Sequence, residues 1–60
     1  MDWRIHCVSR EDVVMVSTPM SRERAISWAR DLELIGDRIV KIEADDGEVV
    51  PEAELSRKAL

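Results

Sequence analysis

The sequence predicts a small α+β fold: a short antiparallel sheet with one amphipathic helix on one face. Three observations predict it, namely the alternating segment Trp3 to Val8, a run with helical spacing from Arg22 to Ile35, and a β-rich run, Arg38 to Ala44, that leads into Asp46-Gly47. Alternation with period two marks a strand with one buried face. Apolar residues recurring every three to four positions mark a helix with one buried stripe.

In the first segment, Trp3, Ile5 and Cys7 share the register that points inward, and Arg4, His6 and Val8 point outward. Ser9-Arg10-Glu11-Asp12 has turn composition, and Val13 to Thr18 is rich in β-branched residues that favour extended backbone. The two runs predict a hairpin, with Val14 and Val16 inward in its second strand. Pro19 ends it, because proline donates no ladder hydrogen bond and biases the preceding residue away from helical angles.

Ser21 suits a helix N-cap, since its hydroxyl can accept from a backbone N–H two or three residues on. At about 100° per residue, Ala25, Trp28, Ala29, Leu32 and Ile35 fall on one stripe, which is expected to face the sheet. Gly36 stands where a helix needs a left-handed residue to stop. In the third strand Val40 and Ile42 are expected inward, with Ile39, Lys41 and Glu43 outward. Asp46-Gly47 then predicts a tight type I′ hairpin into a fourth short strand, Glu48 to Val50. Pro51 to Leu60 is read as a short helix or a mobile end, anchored by Ala53, Leu55, Ala59 and Leu60. With a right-handed crossover, the expected fold is β-β-α-β-β with strand order 2-1-3-4. It forms one domain over residues 1–60 and has the generic look of small bacterial proteins, which carries no chemistry.

Composition narrows the function classes. The chain is 45% hydrophobic and 37% charged, too apolar for a disordered tail and without any apolar run of the roughly 20 residues that span a bilayer. No basic start leads into an apolar signal segment, so a cytoplasmic location without membrane contact is expected. A single cysteine forms no internal disulfide, and a reducing compartment suits it. The net charge of −4 is unevenly placed: residues 1–30 hold five arginines against four acids, and residues 31–60 hold four cations against nine acids. An acidic second half repels phosphates and argues against nucleic acid as the main partner.

No motif carries catalytic chemistry. His6 and Cys7 are the only imidazole and thiol, and neighbours on a strand point to opposite faces, so they form no dyad. One His and one Cys fall short of a structural zinc site, and Asp45-Asp46-Gly47-Glu48 lacks the ligand spacing of a calcium loop. No enzyme activity, metal or cofactor is expected. Trp28 is read as core, since the chain has no Tyr or Phe to complete an aromatic row for stacking bases.

Two surfaces remain as candidates. A single helix covers one sheet face, and the outward set then includes Val8, Val13, Met15 and Ile39, an apolar group that would suit an interface. The expected function is therefore a non-enzymatic protein-interaction module, self-associating as a homodimer through the open sheet face or a strand edge. The alternative is a small nucleic-acid-associated regulator that uses Arg22, Arg24 and Arg30 at the helix, where they could meet an anion or an acidic partner. Ion pairs with Glu23, Asp31 and Glu33 would account for the same arginines without any ligand.

Overall fold

The computed structural model describes residues 1–55 of the chain. Ala59 and Leu60, expected as anchors of the C-terminal segment, lie outside the described residues. The element order is β1 (Trp3–Val8), β2 (Val14–Val16), α1 (Arg22–Leu34), β3 (Arg38–Ala44) and α2 (Glu52–Leu55). The strands form an antiparallel sheet ordered β2-β1-β3, with β1 in the centre.

Local chemistry sets the element ends. The Ser21 hydroxyl caps α1 by accepting from the Arg24 N–H at 3.2 Å. At the other end Gly36 adopts φ 104°, and the Gly36 and Asp37 N–H groups donate to the Glu33 and Leu32 carbonyls. That double closure satisfies carbonyls the helix would otherwise leave open. Arg10, reaching from the β1–β2 loop, donates to the Ile35 carbonyl at 3.4 Å and brings a cation to the negative end of the helix.

The core lies between α1 and the sheet. Trp3, Ile5 and Cys7 of β1 and Ile42 and Ala44 of β3 meet Ala25, Ile26 and Ala29 of α1, with Met20 and Val50 closing the sides. Burial of β1 on one face follows the predicted alternation. Three other assignments of side chains to faces are corrected, each for a physical reason.

The first concerns β2, where Val14 and Val16 were expected inward and are 74% and 53% exposed. The loop decides this. Ser9 donates to the Val13 carbonyl and accepts from the Asp12 N–H, and Asp12 takes left-handed backbone at φ 63°. A three-residue loop closed in this way pairs Cys7 with Met15, Val8 with Val14 and His6 with Val16. Opposed residues share a face, so Met15 turns toward the helix and the two valines turn away from it.

The second concerns β3. Its pairing with β1 slips between His6, opposite Lys41, and Cys7, opposite Ile39, so Val40 is an extra residue. One inserted residue exchanges the faces beyond it. Ile39 therefore packs against the core, whereas Val40, expected inward, is 59% exposed.

The third concerns α1, whose buried stripe is Ala25, Ile26 and Ala29, flanked by Leu32. Relative to the expected stripe the helix is rolled by roughly 60°, counting 100° per residue. Trp28 (45% exposed) and Ile35 (61% exposed) sit outside the core. Two of the three buried helix residues are alanines, and Trp3 from β1 shares the core with them. The Arg22 guanidinium lies over the Trp3 ring, 5.5 Å from its centroid.

The fourth strand of the expected 2-1-3-4 order is not found. Val49 makes one isolated bridge to Glu43, after which Val50 turns inward, donating to the Ile42 carbonyl at 3.0 Å and burying its side chain. Pro51 then brings no N–H to continue a ladder. The preceding loop is not type I′ either: only Gly47 has positive φ, and the Ala44 carbonyl accepts from Gly47 while the Ala44 N–H donates to Glu48. That is the three-residue hairpin loop in which one left-handed residue suffices.

Candidate protein-interaction surface

The sheet face away from α1 is built by register. Arg4, His6 and Val8 of β1 point to it, with Val14 and Val16 paired on one side and Glu43, Lys41 and Arg38 on the other. It divides lengthwise. Along β2 it is apolar, because Val8 lies opposite Val14 and Val16 continues the row. Along β3 it is charged: Glu43 Oε1 lies 3.2 Å from Lys41 Nζ and 3.6 Å from His6 Nε2. Arg4 reaches Asp45 at 3.4 Å across the end of the same strands.

The four residues expected to form one apolar group do not meet. Val8 is half-buried on the open face and Val13 is exposed at the end of the loop, while Met15 and Ile39 belong to the helix side. The open face has its own apolar residues, Val8, Val14 and Val16. Hydrophobicity alone assigns Val14 and Val16 to the wrong face. The usable signal is the spacing from Ser9 to Val13, whose loop sets Met15 opposite Cys7 and so turns the even-numbered valines to the other face.

The described part of the C-terminal segment does not roof this face. One turn of helix, α2, packs on α1, and Leu55 lies against the core from the helix side. Its main tether is Arg22, which donates to both Glu54 carboxylate oxygens at 2.6 and 2.8 Å. That forked bond holds the Arg22 pKa above its ordinary value, and Glu54, not Glu23, is the acid it pairs with. Arg30 donates to the Glu54 carbonyl at 3.4 Å. The candidate anion contacts Arg22, Arg24 and Arg30 thus divide, two engaged with α2 and Arg24 left exposed. Arg24 lines an open groove with Thr18, Pro19, Met20, Ser21 and Trp28.

The two nucleophile or base candidates are placed on opposite faces. Cys7 is buried in the core, where desolvation first and the nearby Asp37 carboxylate second push its thiol pKa up and suppress the reactive thiolate. His6 is half-buried on the open face beside Glu43. The acidic run is organised by turn chemistry, with the Asp46 carboxylate accepting from the Glu48 N–H at 2.9 Å. Among the described residues no three His, Cys, Asp or Glu side chains gather as a metal site, and no helix is long and apolar enough to cross a membrane.

No protein-family model, curated protein or solved structure matches this chain.

Proposed function

We propose that the protein is a non-enzymatic interaction module that self-associates through the β2 side of its sheet. The observation that carries this reading is the exposure of Val14 and Val16, at 74% and 53%, on a strand whose outer edge has no partner among the described residues. Edge strands of monomers are commonly guarded by a lysine, a proline or an inward charge. The Val13 to Val16 stretch carries none of these, and Pro19 lies beyond it. The buried core of the described residues is small, so burial against a second copy adds a large fraction to its stability.

A nucleic-acid role has less support. The first arginine of the proposed cluster is occupied by Glu54, and the exposed carboxylates Asp45, Asp46 and Glu48 gather at the β3 hairpin.

Sedimentation velocity on the wild type and on the double variant Val14→Lys/Val16→Lys tests the proposal. The wild type is expected at twice the monomer mass, and the variant at monomer mass with unchanged far-UV circular dichroism. Both positions are solvent-exposed, so the substitutions cost the fold on the order of 0.5 kcal/mol or less. A wild type that stays at monomer mass up to sub-millimolar concentration overturns the reading.

A further inference from the structure

The backbone of β2 shows which atoms its free edge offers. Ser9 donates to the Val13 carbonyl and Ser17 donates to the Ile5 carbonyl, both at 2.9 Å. In an antiparallel pair the residues that exchange hydrogen bonds alternate with residues that do not, so the odd-numbered positions of β2 face β1. The N–H and C=O groups of Val14 and Val16 therefore point away from the sheet. They make a row of two donors and two acceptors.

We infer that a second copy of the chain pairs with this edge antiparallel, about a two-fold axis at Met15, so that the two sheets join as one. This rests on the self-association reading and adds its geometry. Val14 of each copy lies opposite Val16 of the other, and four backbone hydrogen bonds form between these two pairs. On the open face the four valines become neighbours, and on the helix face the two Met15 side chains meet. Neighbouring registers are poorer. An axis at Val14 would place Val16 against Asp12, which holds left-handed backbone at φ 63°. An axis at Val16 would require Thr18, which lies outside the strand and precedes Pro19.

Charge fits the same register. With the axis at Met15, the loop tip carrying exposed Glu11 and Asp12 runs past Thr18 and Pro19 of the second copy. Those two residues line the groove that contains exposed Arg24. Each acidic tip then faces an arginine, and the two-fold axis repeats the contact. The occupant is a second copy because the edge complements itself in hydrogen bonding, in apolar side chains and in charge.

Cysteine cross-linking tests the register. In a Cys7→Ala background, Met15→Cys is expected to give a disulfide-linked dimer under mild oxidation. Facing residues at a non-hydrogen-bonded position lie about 4.5 Å apart at Cα, within disulfide reach. Val14→Cys alone is expected to remain unlinked, because its counterpart is a diagonal neighbour about 7–8 Å away. Mixing Val14→Cys with Val16→Cys restores the link. In a second arm, Arg24→Glu and Glu11→Arg each weaken the wild-type dimer by about tenfold, roughly 1.4 kcal/mol. An equimolar mixture of the two recovers it, since both cross-axis contacts are then attractive. On the unmodified protein, the Val14 and Val16 amides exchange slowly only at concentrations where the dimer forms. A wild-type dimer that lacks the Met15 cross-link and this protection overturns the register while sparing the self-association reading. A monomeric wild type overturns both.

Discussion

Asp12 and Gly36 both hold left-handed backbone, at φ 63° and 104°, yet the consequences of exchanging each residue are opposite. Glycine reaches this region freely, whereas other L-residues pay a steric penalty there that aspartate only partly escapes. Asp12→Gly is expected to raise stability by about 0.5 kcal/mol, because the loop keeps its shape without the strain. Gly36→Ala is expected to lower it by about 1–2 kcal/mol from the backbone alone. The added methyl would also stand 2.5 Å from Arg10 Cδ, so the arginine must leave the helix end it caps. Urea midpoints at constant m-value read both changes. Equal shifts of the same sign would contradict this account of the two positions. Gly36 was legible from sequence as a helix stop, since the need for it is local. Asp12 was not, because nothing in Glu11-Asp12-Val13 announces positive φ without the hydrogen bonds Ser9 makes across the loop.

At the level of elements, β1, α1 and β3 form where their periodicity places them, and Ser21 caps the helix it was expected to cap. Which way those elements face is another matter. A strand's alternation defines two faces without labelling them, and one bulge at Val40 or one loop geometry at Asp12 exchanges the labels. α2 is the extreme case. Four residues are too few to hold a helix by propensity, so the turn depends on Leu55 against the core and on Arg22 gripping Glu54. These two residues are 32 positions apart, and no sequence pattern joins them. Glu54→Gln keeps the shape and removes the charge. It is expected to speed amide exchange at Glu54 and Leu55 while leaving the β1 and β3 amides unchanged. Equal acceleration throughout the sheet would mean that α2 and the core open as one unit.

For the whole molecule, the buried thiol ties global stability to alkaline pH. Burial, assisted by Asp37, raises the Cys7 pKa above the ordinary value of 9.0. The folded state therefore keeps its proton where the unfolded state loses it, and this contribution is complete below pH 9 and lost as pH rises toward the folded pKa. The expected slope above pH 9 is a loss of up to roughly 1.4 kcal/mol per pH unit. Cys7→Ala should remove the thiol's share of that slope. An unchanged slope in the variant would place the alkaline sensitivity elsewhere. Taken alone, the sequence determined the α+β class, the limits of β1, α1 and β3, and both ends of the helix, because periodicity, capping and glycine backbone freedom act over a few neighbouring residues. Only the tertiary structure decided that β2 shows its valines to solvent, that α1 rolls Trp28 out of the core, and that the chain turns inward at Val50 before a fourth strand forms. Each of those outcomes depends on register or close packing between distant segments. A shift of one residue there reverses a face without altering any local preference.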